Sequence, residues 1–381
     1  DRVFSVAFAE APTVGENAEI EILKSPVNPD DVKPIVMESG DVDYYAPREG
    51  LITYVRKGEK LARRIPPTKG KPGKTVTGKE IPGIYGTDRS LNEIRGARTV
   101  IKNDELLAED EGILQIKDGI IHIEKTYRIY DDLGMNTGSI ILPKDLDITI
   151  VVEKDITRGF KLICKNATVN GCIEDATVEV INLRVLGGIV GTGDELIKAE
   201  NIKVGYINGK RKIITKNIYV KREISNGATV LADKVQAYAI QGSTVIAKKA
   251  IWTEYLNGSN DIMVGIDYNA KEELDYIQKE LAAFKEPLER IRNTYFTSQK
   301  RMHQLKALAK INPKHPLLMK ELPKIKEISE KFKKIEKTYK NLEERKEELV
   351  SNLYPVKDPL LIVRAGFSRD RSSGTIVEPY T

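Results

Sequence analysis

The sequence predicts a mainly β protein with a long α-helical hairpin: a β-rich N-terminal domain, a right-handed single-stranded parallel β-helix and an antiparallel coiled coil. Three observations predict it. Residues 135–267 read as imperfect copies of one short β-rich unit. Residues 268–352 carry apolar side chains spaced alternately three and four apart, in two arms parted by prolines. Residues 353–381 return to strand character, which makes the helical arms an insertion.

Residues 1–134 are the least regular. The runs "EGLITYVRKGEKLARRIPPTKGKPGKTVTGKEIPG" and "ELLAEDEGILQIKDGIIHIEKTYRIY" hold short strands divided by Gly-bearing turns, among them the hairpin signal "KDG". A compact β-rich domain is expected there.

From Met135 the units become recognisable as copies: "FKLICKNATVNGCIEDA", "TVEVINLRVLGGIVGTGD", "ELIKAENIKVGYINGK", "KIITKNIYVKREISNGA". Each opens on an alternating strand and ends in a glycine-bearing turn, with a period of roughly 15 to 18 residues. No copy can bury its own apolar face. The copies must therefore stack, each strand pairing in parallel with the strand one coil later. Val178, Val180, Ile181, Leu183, Ile197, Ile202, Val204, Ile213, Ile214, Ile218 and Val220 are the expected interior, mostly β-branched as a pleated wall prefers. Gly171, Gly187, Gly209, Gly227, Gly242 and Gly258 fall near corners.

At Tyr268 the period changes. Leu274, Ile277, Leu281, Phe284, Leu288, Ile291, Tyr295, Ser298, Met302 and Leu305 make a heptad seam with charged residues around it. Pro313 and Pro316 in "KINPKHP" stop that helix, and a second seam resumes at Ile325 and runs to Leu353. Two arms of about 40 residues, each roughly 55–60 Å long, should fold back on each other. Pro287 should kink the first arm or loosen one turn. The tail 353–381, with "PLLIVRAG" and "GTIVEPY", is expected to rejoin the β-structure and cap the β-helix, Leu360 to Val363 lying beside the coil that contains Ile251.

With these elements in place, the order of motifs is similar to a known family. "SGDVDYYAPREGLITYVRKGEKLARRIPPTKGKPGKTVTGKEIPG", then "ELLAEDEGILQIKDGIIHI", then the coils, the hairpin and a β tail resemble the flagellar assembly protein A family over nearly the whole chain. "VRKGEKLA" and "PPTKGKPGKTVTGKEIP" are the most specific parts. The resemblance implies a non-enzymatic bacterial scaffold or regulatory protein, linked in some members to flagellar assembly or to cell-surface and polar organisation. It also implies a β-helix akin to those of polymer-forming cytoskeletal proteins, and it transfers no catalytic residues. The chain departs from the pattern in carrying Lys or Asn where relatives favour paired glycines, and in the tail "RAGFSRDRSSGTIVEPYT".

Composition narrows the function further. Sixty-one basic against 56 acidic residues leave a net charge of only +5, weak support for an anionic partner. No apolar run reaches the ~20 residues of a transmembrane helix, and the opening Asp1 is what a piece of a longer protein would show. Cys164 and Cys172, both in strand-like contexts, fit buried thiols in a reducing compartment, so a cytoplasmic location is expected.

"TKGKPGKT" at 68–75 looks like the end of a phosphate-binding loop. A phosphate loop needs Gly at the position of Thr68, free N–H groups, and a helix directly after it. Pro72 removes one N–H, and "VTGKEIPG" cannot start a helix. The reading left is a surface loop whose Lys69, Lys71, Lys74 and Lys79 could contact an anion or a partner. Lys57 in "RKGE" suggests the hairpin lysine of biotinyl or lipoyl carriers, yet lacks their flanking residues.

No His or Cys pair has metal-ligand spacing, so neither a cofactor nor a metal is expected. A polysaccharide-active β-helix enzyme is the competing class. It would need clustered carboxylates, and the candidates Glu153, Asp155, Glu174, Asp175, Asp194 and Glu195 fall at turns or strand ends. No arginine-rich aromatic platform points to specific nucleic acid. The sequence therefore predicts protein partners, bound through the hairpin or the N-terminal domain, and allows a small closed homo-oligomer.

Overall fold

The structure, a computed structural model, describes residues 8–27 and 32–367. The chain divides into two compact units, residues 1–230 with 237–241 and residues 231–236 with 242–381. It is mainly β: an N-terminal β-rich region, a parallel β-solenoid of about seven turns, and two helices paired as a hairpin.

In the first unit, an antiparallel sheet runs in the order Glu19–Ile22, Lys60–Ile65, Glu105–Ala108, Thr99–Lys102, beside a second of Ile120–Glu124, Gly112–Lys117 and Tyr54–Val55. Val55, Leu61, Leu106, Leu114, Ile121 and Ile123 lie in the core between them. The "KDG" signal is a two-residue hairpin turn: Lys117 pairs with Ile120, and Asp118 and Gly119 take φ of 52° and 79°. Asn103–Asp104 makes a second such turn, with φ of 50° and 61°. Two positive φ values match the twist of the flanking strands.

The N-terminal region seats on the first coils. The Tyr45 and Phe160 rings lie 4.8 Å apart, Ser139 Oγ donates to Tyr45 O, and Arg56 Nη1 meets Asp145 Oδ2 at 2.8 Å.

The solenoid of this unit has three walls. Its first parallel ladder opens at Thr126–Ile129, ahead of Met135, and continues through Thr149–Val152, Asn166–Val169 and Asn182–Val185 to the strand Ile197–Asn208 and beyond. A second ladder joins Ile140–Ile141, Lys161–Ile163 and Thr177–Glu179 to Ile197 and Lys198. A third stacks Leu133, Ile156, Ile173 and Ile189, then Ile207 and Ile224. Most residues expected inside are there: Val178, Leu183, Ile197, Ile202, Val204, Ile213, Ile218 and Val220 are buried. Ile181 and Ile214 are only half-buried. Ile214 falls between inward Ile213 and inward Thr215, so the pleat turns it outward.

In the second unit one strand, Thr244–Asn257, serves as template for two distant segments. Its Thr244–Ala247 pairs with Asp261–Val264, and its Ala250–Thr253 pairs with Leu360–Val363. Leu361 stands opposite Ile251. The returning strand Leu360–Phe367 therefore lies in the same coil as Asp261–Val264, against the strand that contains Ile251. The tail run "GTIVEPY" lies outside the described residues.

The hairpin enters at that corner. Helix α1 spans Tyr268–Ile311 and helix α2 spans Pro316–Asn352. At 1.5 Å per residue, the 44 residues of α1 extend about 66 Å. Asp267 caps α1, its Oδ1 accepting from Asn269 N at 3.0 Å and Ala270 N at 3.4 Å. Helix α1 continues through Pro287, which removes one N–H without ending the helix. Helix α2 begins at Pro316, earlier than the seam from Ile325, because proline at the first helical position loses an N–H that has no helical partner anyway.

The helices run antiparallel. Leu274, Ile277 and Leu349 cluster at the root, Leu305, Leu318 and Ile325 near the tip, and Tyr295 stacks on Phe332 at 4.4 Å between them. Cross-helix pairs Arg345–Glu273 (2.7 Å) and Arg301–Glu321 (2.9 Å) fix the register.

Candidate functional site

The segment Thr68–Thr75 is clamped between two others. Gly70 N donates to Ile84 O (2.9 Å), Lys71 N to Thr13 Oγ1 (2.8 Å) and Lys74 N to Glu10 O (2.8 Å). The N–H groups that a phosphate would need are already committed. A Cβ on Gly70 would lie 1.8 Å from Thr13 O, and one on Gly83 would lie 1.8 Å from Gly70 O. These glycines let three backbones touch. The motif then leads into a tight turn, with Gly73–Lys74 paired to Glu80–Ile81, and no helix begins there. The geometry accounts for the motif without a nucleotide.

The four lysines of this loop all point into solvent. Lys74 and Lys79 flank the Thr75–Gly78 turn, whose Gly78 N donates to Thr75 O (2.9 Å). Lys69 Nζ sits 5.9 Å from the Tyr85 ring centroid, within cation–π range. Val76, Ile84 and Tyr85 are exposed by 61%, 52% and 62%, so the loop presents apolar and basic side chains together. Lys57 occupies an exposed turn between Tyr54–Val55 and Lys60–Ile65, beside Gly58 at φ 83°.

The six carboxylates do not form one cluster. Glu174 and Asp194 are exposed. Glu153 pairs with Arg128, and Asp155 Oδ1 accepts from Cys172 N at 2.6 Å. Asp175 and Glu195 do come together, around Arg211, whose side chain has no solvent exposure. Arg211 Nη1 reaches Asp175 Oδ1 at 3.0 Å and Glu195 Oε2 at 3.3 Å, and Nη2 donates to Ala176 O at 3.1 Å. Arg158 adds a contact to Asp175 Oδ2 at 3.2 Å. Burial alone would push the Asp175 carboxyl up. The Gly193 N–H, Arg211 and Arg158 outweigh that and hold it below the usual carboxylate range. Two carboxylates tied to one guanidinium make a structural ion cluster.

Sequence reasoning missed Arg211, because "NGKRK" reads as a solvated basic turn and only the fold brings residue 175 to it. It also missed a column of asparagines. Asn182 Nδ2 donates to Asn166 Oδ1 (2.8 Å), Asn201 to Asn182 (3.0 Å) and Asn217 to Asn201 (3.0 Å), one rung per coil. Asn recurs in the sequence where relatives favour paired glycines, and its spacing of 16, 19 and 16 residues is the coil length.

The thiols differ. Cys164 is buried and its ionisation is pushed up to about 12 by that burial. Cys172, expected to be buried, is half-exposed at a corner, where its Sγ lies 3.4 Å from Gly188 N and 3.7 Å from Tyr206 Oη. Tyr206 in turn packs under Arg222, 4.4 Å from ring centroid to guanidinium. Its partners are the residues stacked beside it on the same wall in the next two coils, which the eight-residue spacing could not reveal.

Open grooves also occur among the described residues. Two lie along the hairpin: about 490 Å³ lined by Asn293, Thr297, Arg301 and Lys324, and about 460 Å³ lined by Pro287, Ile291, Ile328 and Lys331. Another, about 360 Å³, crosses the first ladder between Arg184, Lys203, Tyr219 and Lys221. Among the described residues, no group of three or more His, Cys, Asp and Glu could hold a metal ion.

These features define a parallel β-solenoid protein with an antiparallel β-rich N-terminal region and an inserted helical hairpin. The chain belongs to the flagellar assembly protein A family. Residues 2–119 match the Flagellar Assembly Protein A N-terminal region, and residues 125–364 match the Flagellar Assembly Protein A beta solenoid domain. No curated protein and no solved structure matches it significantly.

Proposed function

We propose that this chain is a non-enzymatic scaffold or regulatory protein of flagellar assembly, acting in the cytoplasm and binding protein partners through its hairpin and its N-terminal region. The observation that supports this reading most is the corner after Val264. The preceding coil turns the same corner with Lys248 and Lys249 alone, between Ala247 and Ala250. Here the chain inserts residues 265–359, a length of helix far beyond what closing the coil requires. Such an arm, lined by two grooves, is a means of reaching another molecule. The loop carrying Lys69, Lys71, Lys74 and Lys79 beside exposed Val76 and Tyr85 is the corresponding contact on the N-terminal region.

Two free cysteines fit a reducing compartment, and no helix among the described residues is long and apolar enough to cross a membrane. The test is affinity capture from the native cell with three baits: the intact chain, a chain lacking residues 265–359, and one with the four loop lysines changed to Glu. The intact chain should capture a flagellar assembly component that one of the altered chains loses. Capture of no such component, or turnover of a nucleotide or polysaccharide by the purified chain, would count against the proposal.

A further inference from the structure

The hairpin is electrically polar along its length. Its root is acidic: residues 268–289 and 334–352 together hold eight Lys and Arg against eleven carboxylates. Its tip is the reverse. Residues 302–326 hold six lysines, no arginine and a single carboxylate, Glu321. That excess of five positive charges equals the net charge of the entire 381-residue chain. Glu321 is itself occupied by Arg301, at 2.9 and 3.4 Å. All six lysines are exposed.

The same tip exposes apolar side chains. Leu318 turns inward to join Leu305 and Ile325, and its neighbours Leu317 and Met319 consequently face out. Ile311, the last residue of α1, is 84% exposed, Met319 76% and Leu317 42%. Lys310, Lys314 and Lys320 alternate with them along the turn between the helices.

From this juxtaposition we propose that the hairpin tip binds the surface of an anionic lipid bilayer, inserting Ile311, Leu317 and Met319 while the lysines contact the headgroups. A bilayer offers negative charge directly above an apolar layer and needs no shaped pocket, which suits a convex tip. Lysine suits it as well: the long stem lies along apolar surface while the ammonium stays in the headgroup layer. Nucleic acid fits less well. Residues 302–326 contain no Phe, Tyr or Trp on which a base could stack and no arginine fork, and the exposed apolar residues would gain nothing from phosphates.

The test uses the full chain in vesicle co-sedimentation, with phosphatidylcholine vesicles and with phosphatidylcholine–phosphatidylglycerol vesicles. The chain should partition onto the anionic vesicles only, and less as salt rises. Replacing Lys310, Lys314 and Lys320 together by Gln should lower partitioning about 100-fold. Replacing Ile311 and Met319 by Ser, which leaves the charge intact, should lower it by about tenfold or more. Both variants should keep the thermal transition of the parent, since every changed residue is exposed. Equal partitioning on both vesicles, or none, overturns the proposal. So does a silent Ile311/Met319 variant accompanied by lysine-dependent binding of a DNA or RNA oligonucleotide, an outcome that would assign the tip to nucleic acid instead.

Discussion

A guanidinium without solvent exposure is costly unless fixed acceptors answer it, and a solenoid corner supplies them to Nη1 and Nη2 of Arg211, while its buried Nε meets none among the described residues. Asp175 and Glu195 come from earlier in the chain, Ala176 and Gly193 contribute carbonyls, and Gly193 N–H braces Asp175 at 2.8 Å. Replacing Arg211 by Met would leave the Asp175 carboxylate buried beside a thioether. The expected loss is about 3–5 kcal/mol, the range for removing one partner of a buried pair. The pH dependence has a definite sign. Because the folded-state ionisation of Asp175 is depressed, its contribution is present above the ordinary carboxylate range and lost as pH falls through the depressed value. Parent and variant should therefore converge in stability on acidification, as measured by denaturant melts across the acid range. A gap that stays constant or widens as pH falls would dissociate Arg211 from Asp175. The sequence could not show this cluster, since Lys210, Arg211 and Lys212 are adjacent and alike while only Arg211 is enclosed. By contrast, the turn at Asp118–Gly119 was legible, because residues that tolerate positive φ announce it locally.

Elements divide in the same way between local and distant causes. The heptad seam located both helices because it is a periodicity along one chain, whereas α2 starts ahead of its seam because Pro316 and His315 set the boundary, His315 Nδ1 accepting from Leu317 N at 3.2 Å. The glycines of "TKGKPGKT" mislead for a physical reason: close approach of three backbones and the cradling of a phosphate both require a missing Cβ, and only tertiary contacts tell them apart. The root of α1 carries a further consequence. Burial would push the Asp267 carboxyl up, but Lys248 at 2.8 Å and the Ala270 and Asn269 N–H groups overcome that and hold it low. Its capping contribution is therefore present above the ordinary carboxylate range and fades as pH falls through the depressed value. Asp267→Ala should cost about 1 kcal/mol, the usual worth of a cap, and should accelerate amide exchange in residues 269–277 at neutral pH. The parent should show the same acceleration, after correction for intrinsic rates, only in acid. Identical exchange in parent and variant at neutral pH would leave the cap without energetic weight.

At the scale of the whole molecule, the solenoid and the arm are built to be separable in the second unit. Repetition made the solenoid legible, since stacked coils repeat their inward residues and their glycine-bearing turns, but the register that joins Asp261–Val264 to Leu360–Val363 spans the whole hairpin and leaves no local trace. That register makes a quantitative demand. Val264 is opposite Ala247 and Leu360 opposite Ala250, so the backbone ends that flank the hairpin are as far apart as the ends of the Lys248–Lys249 corner. Replacing residues 265–359 by Lys-Lys should close the last coil directly, and the shorter loop should lose no closure entropy. The joined chain should melt cooperatively and stay as soluble as the parent. Ending the chain at Pro359 makes the opposite change: it keeps both helices but removes the partner of Ala250–Thr253, leaving a parallel edge with unpaired N–H and C=O groups. That truncated chain should associate with rising concentration in light scattering. If the joined chain aggregates while the truncated chain remains monomeric, the returning strand is not what closes the solenoid, and the hairpin itself must be protecting the edge.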